Sequence, residues 1–510
     1  MSIMVEGGSK NKTVLLIFPG KPQRGRYKRR DDDSAQDMAL LPLSHLCIAE
    51  PLRQAGYNPV ILDQRVESDP IGVMRAVRDD VLWVGFSTLT GNTITYGLRL
   101  AEIVRQEIPT SPLVWGGVHP TLITEQTLGD PRVDIIVRRE GEATVGPLSD
   151  CIASGDDLSK VLGISFKRHG HQTHTPDRPY IDFDNAPRIP YELLNLKKYD
   201  LSKYFNYQSS RGCPWRCSFC DVIAFHGRSF RAKSPERILR DLEEIVKFCD
   251  PEVVDFTEDF VFNKPRRMEE VAQGIIDRGF RFKWKANCRA DFMARFDQKY
   301  LDLMKRSGCC EIYVGVESGS ANVLKLILKD IKVEQIRKAT RNLADAGILM
   351  TCNFLIGFPG ETMEDIWETI RMYDELRDAY GDNTAIGGIL LYAPYPGSEM
   401  YHRVIKEGFK PPASFDEWGK FVLNDVKHTR MWYPKDRISF IQAVSQATRH
   451  GLERPPLRTI LGALARVKLY EAGRLSLRLA AYYRWKYKFF RFPVDAKLMA
   501  FGRKYLVQVG

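Results

Sequence analysis

Short apolar runs recur along the first third of the chain, at Thr13–Phe18, Pro59–Leu62, Leu82–Phe86, Leu113–Trp115 and Val133–Val137. Runs of this length predict strands buried on both faces, as in a parallel sheet. Between them, Leu43–Gln54 and Tyr96–Glu107 carry apolar residues at helical spacing. Five such units predict a doubly wound parallel sheet over residues 1–169, whose ligands gather beyond the C-terminal ends of the strands. Ser87, Thr88 and Thr90 follow the third strand there, and Gly116-Gly117 the fourth. A glycine pair lets backbone approach a ligand closely, or simply makes a tight turn.

Prolines at 176, 179, 187 and 190 predict an extended linker over 170–206. Strand-sized runs resume at Val253–Phe256, Ile312–Val316, Met350–Ile356 and Gly388–Tyr392, which predicts a partial or complete parallel barrel over 207–410. Residues 411–510 read as a mainly helical, basic region. Of the 510 residues, 44% are hydrophobic and 27% charged, which excludes a disordered chain. No apolar run reaches bilayer length, and Met1–Lys12 lacks the pattern of a signal peptide. The expected location is therefore cytoplasmic, with the ten cysteines as thiols rather than a disulfide framework. Residues 451–510 hold 13 Lys and Arg against 3 Asp and Glu, nearly all of the net +11. The charge is an appendage, not a property of the body.

The segment Arg211-Gly-Cys-Pro-Trp-Arg-Cys-Ser-Phe-Cys220 spaces Cys213, Cys217 and Cys220 as C-x3-C-x2-C. An iron–sulfur cube has four irons, so three thiolates leave one iron open to a small molecule. Structural zinc with His226 as fourth ligand is the competing reading, but no second C-x2-C pair accompanies it. The other cysteines, at 47, 151, 249, 288, 309, 310 and 352, read as buried thiols. Phe256-Thr-Glu-Asp-Phe260, Asn287-Cys-Arg-Ala-Asp291, Gly315-Val-Glu-Ser-Gly319, Ile356-Gly-Phe-Pro-Gly360 and Pro394-Tyr-Pro-Gly-Ser398 follow the cysteine loop in order, and Gly141-Glu142-Ala143-Thr144 precedes it.

Together these segments resemble the radical S-adenosylmethionine (SAM) enzymes, in the subgroup with an N-terminal cobalamin-binding-type domain, over Thr13–Tyr401. The resemblance implies an α/β protein: a flavodoxin/Rossmann-like domain, a partial TIM-like β/α barrel and a helical C-terminal region. It implies a [4Fe–4S] cluster on Cys213, Cys217 and Cys220. It places the SAM ammonium near Glu258 or Asp259, its carboxylate near Arg289, its ribose near Glu317 and its adenine beside Phe219. Cobalamin would lie against Ser87, Thr88, Thr90, Gly116 and Gly117. An electron donor resembling flavodoxin or ferredoxin would reduce the cluster, and SAM would break to a 5′-deoxyadenosyl radical.

The chain departs from many cobalamin modules in lacking D-x-H-x-x-G, since His45 follows Ser44 and Asp63-Gln-Arg-Val has no histidine. Either cobalamin is held without a histidine on cobalt, or the first domain is vestigial or binds substrate. The charged insertion Arg24–Asp33 would touch corrin or substrate, or stand as a solvated loop. The resemblance implies C-methylation of an unactivated carbon of a small or lipid-like substrate. The alternatives are oxidative cyclisation of a porphyrin-like substrate and, in another class, a sensor binding nucleic acid or membrane through its tail. The interleaved aromatic and basic residues of Arg474–Arg491 suit an anionic membrane surface or a helix docked on the barrel, and no nucleic-acid motif accompanies them. No residue is assigned a catalytic role.

Overall fold

The computed structural model describes residues 12–21, 40–168, 170–381, 383–421, 432–433, 435–449, 480 and 482–488. The charged insertion Arg24–Asp33 lies outside the described residues.

The first sheet contains β1 (Thr13–Phe18), β2 (Asn58–Asp63), β3 (Val81–Ser87), β4 (Leu113–Gly116), β5 (Ile135–Val137), β6 (Ile164–Arg168) and β7 (His171–His174). Their order is β2-β1-β3-β4-β5-β6-β7. The first five are parallel in flavodoxin order, and β6 and β7 extend the sheet antiparallel. Val14, Leu15, Leu16 and Ile17 of β1 are all buried because helices cover both faces. One face meets Leu43–Gln54 and Val145–Ser154, the other Asn92–Glu107. β7 falls inside the predicted linker. His171–His174 is almost wholly polar and mostly exposed, so no apolar run marked it as a strand.

The second sheet is parallel, in the order β15-β14-β13-β12-β11-β8. Its strands are β8 (Tyr204–Tyr207), β11 (Val253–Phe256), β12 (Lys283–Arg289), β13 (Cys309–Glu317), β14 (Leu349–Ile356) and β15 (Thr384–Leu391). Among the described residues, six strands make a partial barrel. A small antiparallel pair, β9 (Ser210–Arg211) with β10 (Arg231–Ala232), closes the base of the cysteine loop. Outward-facing residues such as Trp284, Ile312, Val314, Met350 and Phe354 pack under the surrounding helices. Each helix has local start signals. Ser234 caps Pro235–Cys249 with Pro at its first turn, and Thr362 with Asp365 forms a capping box for Met363–Tyr380, each cap being worth about 1 kcal/mol.

The inward face of this sheet is polar. The Tyr204 hydroxyl donates to Asp255, Lys285 Nζ lies 3.2 Å from Glu311 Oε2 and 3.4 Å from the Tyr313 hydroxyl, and Thr351 donates to Glu311. Asn353, next along this face, is exposed.

After the barrel, Phe415–Gly419 packs on Asn92–Glu107 of the first domain, and Lys435–Arg449 covers β15. The C-terminal region is helical where it is described. Among the described residues, no helix is long and apolar enough to cross a membrane.

Candidate functional site

A cavity of about 360 Å³ opens where the C-terminal ends of β1, β3, β4 and β5 meet the start of the barrel. Its depth is apolar, lined by Leu16, Trp83, Gly85 and Val114. Its rim is polar, with Ser87, Arg139, Glu140 and Glu142 from the first domain and Gln208, Arg211 and His226 from the barrel side. Trp83 is fixed by its indole N–H, which donates to Ser149 Oγ at 2.9 Å. Of the residues expected here, Ser87, Gly116 and Gly117 line the cavity. Thr88 is buried behind the wall, and the Thr90 hydroxyl is bonded to His119 Nδ1 at 2.9 Å. Gly117 has φ 94°, and a Cβ there would lie 2.8 Å from Thr88 O and 2.9 Å from Ser87 Oγ. Both conformation and packing therefore demand glycine.

His45 also lines the cavity, but its nitrogens are engaged, Nε2 with Ile17 O at 2.9 Å and Nδ1 with Ser44 Oγ at 3.1 Å. Burial lowers its pKa to about 4, so the ring is neutral near pH 7. His226 is lowered to about 4 by the same cause, and its Nδ1 sits 3.3 Å from Arg231 Nη2. The fourth-ligand candidate for zinc thus stands on the wall of the N-terminal cavity.

The cysteine loop leaves β9 at Gly212, whose φ is 78° and whose added Cβ would meet Ser229 O at 2.2 Å. Within it, Cys220 N–H donates to Cys217 O at 3.2 Å. Ser218 N–H donates to Ile327 O at 2.9 Å, and Ser218 O accepts from Met400 N–H at 2.7 Å. The loop is tied to the barrel at its middle, while the three thiols remain partly accessible. Burial pushes the Cys213 and Cys220 thiols upward, so they are neutral until a metal shares their charge. Among the described residues no three Cys, His, Asp or Glu side chains surround a single point as one metal ion requires. Three corners of a cube stand further apart than the ligands of one ion.

Around the loop lie the other predicted residues. Glu258 is buried, and its Oε1 accepts from Ser209 and Ser210 while Oε2 finds no partner among the described residues. That bare carboxylate oxygen is a ready acceptor for an ammonium group. Asp259 is open to solvent in its recess, where the surrounding protein and then Asp221 raise its carboxyl pKa. Glu317 has φ 65°, an uncommon backbone for a non-glycine residue, and accepts from Lys329 Nζ at 2.8 Å. Phe219 packs 5.9 Å from the Phe358 ring, which stacks 4.9 Å from Tyr392.

Arg289, expected near the SAM carboxylate, is engaged with the protein. Its Nε donates to Asp291 at 2.9 Å, Nη2 to Lys329 O at 2.7 Å, and Nη1 lies 3.8 Å from Cys217 Sγ. Stacked 3.9 Å over Trp215, the guanidinium braces the cysteine loop rather than offering a free fork. Lys329, Glu140 and Arg231 stand around the loop although the sequence did not single them out. Lys329 pairs with Glu317 and Glu140 with Arg231, partners distant in the chain, so neither pair has a local signature.

Residues 207–373 match the radical SAM superfamily, and residues 38–148 match the B12 binding domain. An uncharacterized methyltransferase of Pyrococcus horikoshii is 30% identical over 435 residues, covering 84% of this chain and 90% of its own. The anaerobic magnesium-protoporphyrin IX monomethyl ester cyclase of a Synechocystis strain is 30% identical over 68% of this chain and 69% of its own. The solved structure of a cobalamin-dependent SAM radical enzyme, with aqua-cobalamin and SAM bound, superposes with TM-score 0.72 at 17% identity. That superposition covers 97% of this chain and 75% of the other, so the two share a fold. With the three-cysteine loop, the parallel partial barrel and the cavity-bearing first sheet in place, the chain belongs to the radical SAM superfamily, in the group that carries an N-terminal B12 binding domain.

Proposed function

We propose that this chain is a cobalamin-dependent radical SAM methyltransferase acting on an unactivated carbon of a small polar molecule. The observation that carries the reading is the shared wall: Arg211, two residues before Cys213, also lines the N-terminal cavity. The apolar lining of the cavity would hold an apolar part of a corrinoid, and Ser87, Arg139, Glu140 and Arg211 would offer it polar contacts. Cys213, Cys217 and Cys220 would hold three irons of a [4Fe–4S] cluster. When bound, the cluster and SAM supply a carbon radical and cobalamin supplies the methyl carrier.

The chain's own groups then have separate tasks. The unpartnered Oε2 of Glu258 would accept the SAM ammonium, and Arg289 orients Cys217. Phe219, Phe358 and Tyr392 form an apolar wall that excludes water from the radical's path. The polar inner face of the barrel, with Lys285, Glu311 and exposed Asn353, supports a hydrogen-bonding substrate over a lipid. A small acidic redox protein of the flavodoxin or ferredoxin type would supply the electron. The excess of cations in residues 451–510 supports peripheral contact of the tail with an anionic membrane.

The test is anaerobic reconstitution. Wild-type protein should take up about four irons, retain hydroxocobalamin and form 5′-deoxyadenosine from SAM. Changing the three cysteines to Ala should abolish iron and 5′-deoxyadenosine while corrinoid is still bound, as in the iron-free wild type. Product mass should rise by about 14 Da, one CH₂ replacing hydrogen by methyl. A change of hydrogen or oxygen count instead would identify an oxidase or cyclase. Retention of a full cluster by the triple variant would overturn the cysteine assignment.

A further inference from the structure

Glu140 stands three residues beyond the end of β5, on the wall of the N-terminal cavity, and is buried. Its Oε1 accepts from Arg211 Nη1 at 3.1 Å and from Arg231 Nη1 at 2.8 Å. Its Oε2 accepts from the same Arg231 nitrogen at 2.8 Å and from Ile181 N–H at 3.1 Å. Arg211 and Arg231 face each other across the β9–β10 pair. The three cysteines lie in the loop between those two strands. One carboxylate of the first domain therefore grips both ends of the loop at its base.

The grip has little slack. Arg211 also pairs with Glu142 at 2.6 Å, reaches Cys47 Sγ at 3.5 Å and lies 4.6 Å over the Phe183 ring. Arg231 lies 4.3 Å over the Tyr180 ring. Just inside the pair, a Cβ at Gly212 would lie 2.2 Å from Ser229 O, so the two strand ends run too close there for any side chain. A ligand seated in the cavity touches the same wall, where Glu140, Arg139 and His226 stand together.

A buried ion cluster of this kind is poor evidence for stability, because desolvation offsets much of its attraction. It is well suited to fixing one arrangement. We propose that Glu140 is a positioning residue that couples occupancy of the N-terminal cavity to the cysteine loop, so that the corrinoid and the cluster each strengthen binding of the other. This rests on the assignment of those two ligands above. Such coupling is reciprocal by thermodynamic necessity and is commonly fivefold or more.

The experiment titrates hydroxocobalamin into the full chain, iron-free and after anaerobic reconstitution of the cluster, by visible absorbance. Wild type should bind at least fivefold more tightly with the cluster present. Glu140→Gln keeps the shape and removes the charge. It should still load iron and still bind hydroxocobalamin, with the same Kd in both states. Arg231→Met severs the link from the loop side and should likewise lose the ratio, which keeps the test decisive if Glu140→Gln folds poorly. Equal Kd values in the two wild-type states, or an unchanged ratio in Glu140→Gln and Arg231→Met, overturn the proposal. Absence of hydroxocobalamin binding in either wild-type state overturns the functional reading itself, a distinguishable result.

Discussion

Gly85 decides whether the N-terminal cavity exists. A Cβ there would lie 2.8 Å from the Trp83 ring and 3.0 Å from Leu16, so even a small side chain displaces the indole into the space. Gly85→Val should cost about 1–3 kcal/mol of stability by overpacking. It should also lower hydroxocobalamin retention at least tenfold while iron loading stays at the wild-type level. Equal retention would show that nothing of the corrinoid enters this cavity. Glu361 carries a second residue-scale expectation. Burial raises its carboxyl pKa to about 8, against backbone donors at Gly357 and Phe358 and the Tyr433 hydroxyl, which pull it down. The buried form is protonated, so its stabilising contribution is complete at low pH and disappears as pH rises from the unfolded value of 4.5 through about 8. Across that window wild type should lose about 1.4 kcal/mol per pH unit that Glu361→Gln does not. Parallel denaturation midpoints for the two proteins between pH 5 and 8 would contradict this. The cysteines were legible because three thiols at fixed spacing have few other uses. Glu140 and Lys329 were not, because an acid or a base shows its partner only after folding.

Whether an element could be read depended on what covers it. β1 was legible to the residue because both of its faces are buried and its apolar run is unbroken. β12 was missed because Lys283, Lys285 and Asn287 face the polar interior of the barrel and interrupt the run at every second position. The antiparallel extension β6–β7 escaped for the same reason, with exposed polar residues along β7. The edge of the second sheet shows how a later element completes an earlier one. Ile389 N–H of β15 donates to Thr448 Oγ1 of Lys435–Arg449 at 2.9 Å, and that hydroxyl bonds back to Val444 O at 3.1 Å. Thr448→Val preserves volume and leaves a buried N–H without an acceptor, at about 1–3 kcal/mol. Faster hydrogen exchange at Ile389, with the denaturation midpoint lowered, is the expected result. Unchanged exchange there would mean that the helix does not seal the edge.

At the scale of the whole molecule, the basic C-terminal region allowed two readings, a membrane-facing surface or a helix docked on the barrel. Most of its residues, 451–479 and 489–510, lie outside the described residues. The described stretch docks. Trp485 is 3% exposed, its indole N–H donates to Asp374 Oδ1 at 2.8 Å, and its ring meets Tyr373 at 5.0 Å. Lys488 lies 3.8 Å over the same indole, while Tyr487 points outward at 68% exposed. The sequence could not separate these outcomes, because a helix alternating aromatics with cations carries the same pattern whether protein or lipid covers its apolar side. Docking makes the tail part of the barrel's stability, with a cost that can be measured. Trp485→Ala should destabilise the protein by about 3–5 kcal/mol, the usual range for truncating a buried tryptophan. Tyr487→Ala, at an exposed position, should stay within about 0.5 kcal/mol. Sedimentation with anionic vesicles separates the surface role from the docked one. If the outward residues contact lipid, Tyr487→Ala weakens salt-sensitive pelleting and leaves the denaturation midpoint unchanged, whereas Trp485→Ala does the reverse. A Trp485→Ala protein as stable as wild type would undo the docked arrangement and leave this helix free to turn its aromatic side to a membrane.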